Sequence, residues 1–480
     1  MEHPSALAKE IREKILDAEG LKNCFECGIC TASCSMTELL GDEYSPRRLL
    51  EDVYADPEGV LNSDAIWYCA WCYRCHNRCP QALDLPEIFL FMRSAAAKRG
   101  HTQGFDKALQ NIIKNVPLPL VTALVCFHPE RAGLKIDETL HSIEHMREEQ
   151  VKHAKKEKAA KAPKEKIAVI GSGPAGLTVA YELGNKGYSV TVFEQLPKAG
   201  GMLRKGIPEK RLPKKIVDKE IQFITDLGVE IKTGTKIGED LHFAALKKEG
   251  YKAVFVGAGA HKSHRLKIEG SELKGVTHAL DFLWEANMGK EVEVGNNVVV
   301  IGGGNVAVDA SRTARAIRCL GADQVTILYR RSKDEMPANL REVKEAEHEG
   351  VKIEFLVAPK RVLGENGKVA GIECVRMQLG ESDETGRKKA IPVEGSEFKR
   401  ETDMVILATG ETPDLVFLPK DIELNEDGTL WVDPVTLETN VKGVFGGGDA
   451  VNGPASVIEA IRDGKRAAKS IEDYIKALER

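Results

Sequence analysis

"KIAVIGSGPAGLTVAYELGNKGYSVTVFE", residues 166–194, begins with an apolar run from Ile167 to Ile170, turns through glycines, continues at helical spacing and ends a second apolar run on Glu194. That order predicts a strand, a tight turn, a helix and a second strand. Gly171, Gly173 and Gly176 stand in the G-x-G-x-x-G spacing that lets backbone approach a pyrophosphate. The helix that follows offers unpaired N–H groups and the positive end of its dipole, and Glu194 is placed to take ribose hydroxyls. A lone glycine pattern would say little, but all the parts stand here in the order a dinucleotide needs.

A second copy follows in "NNVVVIGGGNVAVDASRTARAIRCLGADQVTILYRRS", residues 296–332, with Gly302, Gly304 and Ala307 at the turn. Its second strand runs into Tyr329, Arg330 and Arg331, with no carboxylate where Glu194 stands in the first copy. Guanidinium forks suit an additional phosphate, so this turn is expected to take NADPH; if the arginines are surface charges, NADH stays open. The tail "GVFGGGDAVNGPASVIEAIRDGKRAAKSI", residues 443–471, predicts a short strand into Gly447, Gly448 and Asp449, then a helix. "AVFVGAGAH" and "MVILATGETPD" supply further strand-to-loop pieces, with Gly259 and Gly410 admitting close backbone.

Cysteine placement adds a second chemistry. Eight of the eleven cysteines lie before residue 80. Cys24, Cys27, Cys30 and Cys34 form one C-x2-C-x2-C-x3-C run; Cys69, Cys72, Cys75 and Cys79 form another, closed by Pro80. This is the spacing of ferredoxin-type [4Fe-4S] ligation, in which the fourth cysteine of each run serves the other cube. The expected sets are therefore Cys24, Cys27, Cys30 and Cys79 on one cluster, and Cys69, Cys72, Cys75 and Cys34 on the other. Disulfides fit poorly, and zinc is the competing reading, because C-x2-C is also zinc-ribbon spacing. Cys126, Cys319 and Cys374 are read as core residues.

Composition excludes other classes. With 68 basic and 73 acidic residues and a net charge of −5, no excess of positive charge invites nucleic acid. The start "MEHPSALAKEIREKIL" is charged where a secretory leader is apolar, so a cytoplasmic protein is expected. The longest apolar run, "VPLPLVTALVCF" at 116–127, is too short and too rich in proline to span a membrane, so no transmembrane segment is expected; it reads as a buried or partner-facing segment, with an interfacial anchor as the alternative. No C-x-x-C follows residue 79, so a redox disulfide beside a flavin is not expected.

Two resemblances sharpen this. "CGICTASCSM", "YSPRRLL", "IWYCAWCYRCHNRCPQ" and "LPEIF", within about residues 20–100, resemble the α-helical two-cluster module of the heterodisulfide reductase C subunit. "GGMLRKGIPEKRLPKKIVDKEI", "GGGNVAVDASRTA", "YRRSKDEMPA" and "GGDAVNGPASVIEAI" resemble the glutamate synthase small subunit and related FAD/NAD(P)H oxidoreductases over about residues 166–475. The second resemblance implies FAD at the first turn, with Gly201, Met202 and Arg211 lining it, the loops of Gly259 and Gly410 packing behind it, and Gly448, Asp449 and Ser456 completing its site. It implies Asn305, Asp309, Arg330 and Arg331 facing NADP(H) or NAD(H). The N-terminal module departs from that family's usual iron–sulfur segment, which puts its usual glutamate-forming partner in doubt.

The expected architecture is an α/β two-dinucleotide-binding flavoprotein, Rossmann-like, preceded by an α-helical ferredoxin domain. Its expected parts are residues 1–147 for two [4Fe-4S] clusters, a charged linker at 148–165, an FAD domain at 166–290 and 405–480, and an NAD(P)H domain at 291–404. The expected function is an oxidoreductase subunit that moves electrons between NAD(P)H, FAD and the clusters, to or from a partner protein or catalytic subunit, with bifurcation at the flavin as an open extension. A glutamate synthase small subunit and a non-catalytic relay scaffold are the alternatives. No side chain stands out as a catalytic acid, base or nucleophile, which leaves the redox chemistry to the flavin.

Overall fold

Alternation of apolar runs with helical segments is realised twice. The computed structural model describes residues 9–10, 24–159, 164–317, 324–382 and 387–480. Cys319 and its expected core role lie outside them. The chain divides into one compact unit of Met1–Gly201, Lys215–Gly259 and Leu415–Arg480, and a second of Met202–Lys214 and Ala260–Asp414.

In the first unit, five parallel strands run in the order Val444–Gly446, Tyr251–Val256, Lys164–Ile170, Tyr188–Glu194 and Glu230–Thr233. Ile167 lies beside Val190 and Val169 beside Val192, all buried, as expected of a parallel sheet covered on both faces. Helix Pro174–Asn185 follows the first turn with proline at its first position, where the missing N–H costs nothing. Helix Val457–Leu478 packs across it. A Cβ on Gly464 would stand 2.5 Å from the Ala175 carbonyl oxygen and 2.7 Å from the Thr178 Cβ, so a glycine inside this long helix is what allows the close crossing.

The cysteine-bearing part of this unit is helical, as its spacing predicts: Ile29–Ala32, Ser35–Leu40, Pro46–Ala55, Arg74–Arg78, Leu85–Lys98 and Gln103–Asn115. Helix Pro46–Ala55 is typical: Ser45 accepts from the Arg48 N–H at its start, and Leu49, Leu50 and Val53 are buried along one stripe. The apolar run 116–127 is interior, with Val116, Leu118, Leu120, Val121 and Phe127 all buried. No helix among the described residues is long and apolar enough to cross a membrane.

The charged stretch expected as a linker differs. Helix Ile136–Ala159 runs through most of 148–165, and the first strand already begins at Lys164. Its Arg147 and Val151 are buried. Arg147 donates to the Tyr181 hydroxyl at 2.7 Å with its guanidinium 3.9 Å over that ring, and Lys155 pairs with Asp226 at 3.1 Å. The residues that make the stretch look solvated are one face of a helix whose other face is packed.

The second unit repeats the plan. Its parallel strands run in the order Val276–His278, Met404–Leu407, Asn297–Ile301, Gln324–Tyr329 and Lys352–Phe355. An antiparallel layer of Val357–Glu365, Lys368–Ser382, Lys388–Pro392 and Phe398–Glu401 is added, together with a small pair, Lys262–Ser263 with Glu411–Thr412. The unit limits at 259/260 and 414/415 differ from the expected cuts at 290/291 and 404/405. Strand Val276–His278 pairs with Met404–Leu407, beside the second turn's own strand, and this draws residues 260–290 and 405–414 into the second unit. Segment Met202–Lys214 belongs there too. Asn287 donates to the carbonyls of Arg204, Lys205 and Ile207, and the Lys214 ammonium donates to those of Leu203, Ile207 and Leu212.

Candidate functional site

At the first turn each glycine has a distinct steric reason. A Cβ on Gly171, whose φ is +96°, would stand 2.4 Å from the Gly257 carbonyl oxygen, and one on Gly176 would stand 2.0 Å from the Gly171 oxygen. Gly173 faces open space, while a Cβ on Gly201 would come within 2.7 Å of the Gly173 Cα. The turn is thus closed against the sheet and helix and left open where a pyrophosphate must approach. Glu194 lies buried beside it: its carboxylate accepts from the Ser172 N–H at 3.0 Å, the Ser172 hydroxyl at 2.5 Å and the Leu196 N–H at 2.8 Å. Three bonds leave a carboxylate one acceptor site for a ribose hydroxyl. Ser172 also accepts from the Gly200 N–H at 2.9 Å, a bracing role that its place inside the glycine pattern conceals.

The tail closes the same turn. A Cβ on Gly448 would stand 3.0 Å from that of Ala175, and the Gly448 N–H donates to buried Asp463 at 3.2 Å. Asp449 begins the short helix Asp449–Asn452 and accepts from the Ala455 N–H at 3.2 Å. Ser456, expected near the flavin, caps helix Val457–Leu478 reciprocally with Glu459. Gly259 adopts a φ of +67°.

In the second unit, a Cβ on Gly302 would stand 2.1 Å from the Ala408 carbonyl oxygen, while Gly304 faces open space. Ala307 is fully buried with its methyl accommodated, at the position where the first turn has Gly176. Asn305 accepts from the Asn339 N–H at 2.9 Å, and Gly410 packs near His264 with a φ of +106°. Arg211 and Asp309, expected at different cofactors, pair with each other at 2.7 and 2.8 Å. Burial pushes the Asp309 carboxyl up and the Arg211 guanidinium opposes that shift. The arginine pair is split: Arg330 is exposed, whereas Arg331 is 8% exposed and donates from Nε to the Lys388 carbonyl at 2.7 Å.

The cysteines gather in two places. Cys24, Cys27, Cys30 and Cys79 line one open cleft together with Arg47 and Leu83. The fourth cysteine of the second run therefore sits with the first three of the first. Cys34, Cys69, Cys72 and Cys75 are mutual neighbours, close enough that each of Cys72 and Cys75 feels the charge of Cys34 and Cys69. Burial, reinforced by Cys34, pushes the Cys72 thiol up to about 12. Four desolvated thiols cannot all ionise without a cationic group among them, which a metal cluster supplies. Buried Cys374 and Cys126 sit in the interior, and Cys126 lies near enough to Cys72 to influence it.

The second set is fastened to the first unit's dinucleotide fold. Helix Ser35–Leu40 starts directly after Cys34, and its Glu38 holds Arg466 at 2.5 Å and Arg462 at 3.6 Å. Helix Arg74–Arg78 carries Cys75, and Arg74 pairs with Glu459, the capping residue of helix Val457–Leu478. Lys465 donates to the Asn115 carbonyl at 2.5 Å.

Two glycine turns on parallel sheets, a tail closing the first, and two cysteine sets define a two-dinucleotide flavoprotein with an iron–sulfur module. The chain belongs to the pyridine nucleotide-disulphide oxidoreductase family, whose model matches residues 165–464, and a 4Fe-4S dicluster domain matches residues 20–83. FAD, NAD(P)H and two [4Fe-4S] clusters are its cofactors. It is 40% identical over 434 residues to the NADP(+)-dependent formate dehydrogenase subunit beta of Moorella thermoacetica, an alignment covering 84% of this chain and 60% of that one. It is 40% identical over 326 residues to the glutamate synthase [NADPH] small chain of Azospirillum brasilense, covering 65% of this chain and 67% of that one. The chain thus spans about three fifths of the length of the first relative. Among solved structures, Mycobacterium tuberculosis FprA in complex with NADPH shares the fold, with a TM-score of 0.55 at 21% identity over 66% of this chain and 86% of that one.

Proposed function

We propose that this chain is the NADP(H)-linked electron-transfer subunit of a larger cytoplasmic dehydrogenase, exchanging electrons with a separate catalytic subunit through its two clusters. The observation that carries this is the attachment of the Cys34, Cys69, Cys72 and Cys75 set to the helix that closes the first dinucleotide turn. When bound, FAD exchanges a hydride with the nicotinamide and single electrons with iron–sulfur. Gly171, Gly173, Gly176 and Gly201 leave room for its pyrophosphate, Glu194 holds its ribose, and Met202, Gly259, Gly448 and Asp449 border it. Gly302, Gly304, Asn305 and Ala307 shape the nicotinamide nucleotide site, and Arg330 takes the 2′-phosphate while Arg331 anchors the strand behind it. Arg211 and Asp309 brace this site through each other. Ser456 positions helix Val457–Leu478.

The partner is read from the relatives. The alignment with the formate dehydrogenase subunit covers 84% of this chain and that with the glutamate synthase small chain 65%, so a dehydrogenase-type catalytic subunit is favoured over a glutamate-forming one. Bifurcation between two acceptors is the finer form of the same reading. Anaerobic isolation from the native host tests it. A co-purifying dehydrogenase-type subunit and a flavin bleached by NADPH support the assignment; an isolated chain whose flavin responds to neither NADPH nor NADH contradicts it. Arg330→Ala is expected to raise the KM for NADPH about tenfold, the loss of one charge-assisted contact of ~1.4 kcal/mol, with the KM for NADH unchanged. Equal effects on both nucleotides would remove Arg330 from the 2′-phosphate.

A further inference from the structure

Arg93 lies in the middle of helix Leu85–Lys98, in "LPEIFLFMRSAAAK", and is 2% exposed. Its guanidinium donates only to backbone carbonyls: Nε to Ile66 at 2.7 Å, one terminal nitrogen to Phe127 at 2.9 Å, the other to Cys69 at 2.5 Å. Among the described residues no carboxylate pairs with it. Its surroundings are apolar: Trp67, whose ring centre lies 5.9 Å away, with Phe105, Phe127 and Ile143 around a small cavity beside it. A full positive charge in such a place is costly unless a negative group is near, and neutral donors would serve three carbonyls equally well. The negative group at hand is the thiolate set of which Cys69 is a member.

We propose that Arg93 is a redox-positioning residue, its buried charge raising the reduction potential of the cluster held by Cys34, Cys69, Cys72 and Cys75 above that of its neighbour. Reduction adds one electron to the cluster, and a fixed positive charge a few ångströms away in a low-dielectric interior favours the more negative state. The opposing charge is Glu87, engaged by the Tyr73 hydroxyl at 2.5 Å, and its influence on Cys69 is smaller than that of Arg93. Among the described residues that line it, the other cysteine set has no buried cation. Its cationic neighbour, Arg47, is only half-buried and paired with Glu51 at 3.3 Å, so solvent and the carboxylate cancel most of its field. Electrons arriving from the flavin are thereby held at the site fastened to the flavin's own unit before they move outward.

This rests on the cysteine assignment proposed above, and the test separates the two. Anaerobic holoprotein is titrated potentiometrically with EPR detection in the wild type and in Arg93→Met, Arg93→Gln, Arg93→Lys and Arg47→Ala. A wild type with about eight irons and two titrating centres upholds the two clusters whatever Arg93 does; about four irons would overturn them. In whichever neutral Arg93 variant retains its iron, one midpoint alone is expected to fall by at least a tenfold change in equilibrium, ~59 mV for a one-electron couple. Arg93→Gln keeps amide donors for the carbonyls and so distinguishes charge from packing. Arg93→Lys and Arg47→Ala are expected to leave both midpoints within threefold of wild type. Unmoved midpoints in an iron-replete neutral variant, or a fall in Arg93→Lys as large as in Arg93→Met, would overturn the proposal.

Discussion

The two cysteine sets share one spacing and occupy opposite environments. Around Cys24, Cys27, Cys30 and Cys79 the cavity is open, Cys27 is exposed, and Phe25 and Ile29 stand 68% and 39% exposed. Around Cys34, Cys69, Cys72 and Cys75 two of the cysteines are buried, Arg93 supplies a buried positive charge, and three ion pairs reach helix Val457–Leu478. Identical ligands therefore make a rim site and an inner site. What distinguishes them is not the thiolates but what packs behind them, and that is the means by which a protein orders centres of the same chemistry along a path.

The largest expected effect on that contrast comes from Glu459→Ala. It removes the Glu459 half of the cap on helix Val457–Leu478 and the partner of half-buried Arg74, a loss on the order of 3 kcal/mol. Thermal release of flavin and bleaching of the inner cluster should move to lower temperature together; if flavin release shifts while the inner cluster does not, the two are not mechanically joined. A smaller effect is expected from Glu38→Gln, because Glu38 is itself more than a third exposed and its contacts with Arg462 and Arg466 are screened: about 1 kcal/mol or less by the same assay, with the rim site unaffected.

Much of this was legible from residue order alone. The glycine spacing and the acid at Glu194 specify the first turn, and the two cysteine runs specify an iron–sulfur module, because each is a local pattern whose chemistry needs those residues at those distances. Contacts made over long separations were not legible. Arg93 meets groups 24 to 34 positions away, and nothing in a mostly apolar helix marks its one arginine as buried. Arg211 finds Asp309 98 positions on. Which of Arg330 and Arg331 turns inward depends on the course of the chain after Tyr329, which two adjacent arginines cannot reveal. The stretch 148–165 read as a tether because charge on one face of a helix and charge in a solvated coil look alike in sequence; Arg147 on Tyr181 tells them apart only in three dimensions.

The crossing of the two runs is the claim on which the rim and inner sites both depend, and iron content in double variants tests it directly. Removing Cys24 with Cys79 strikes one site twice and should leave about four irons, whereas removing Cys24 with Cys34 strikes both sites and should leave few or none. The reverse result, about four irons in Cys24→Ala/Cys34→Ala and few in Cys24→Ala/Cys79→Ala, would show that each run holds its own cluster and would contradict the account.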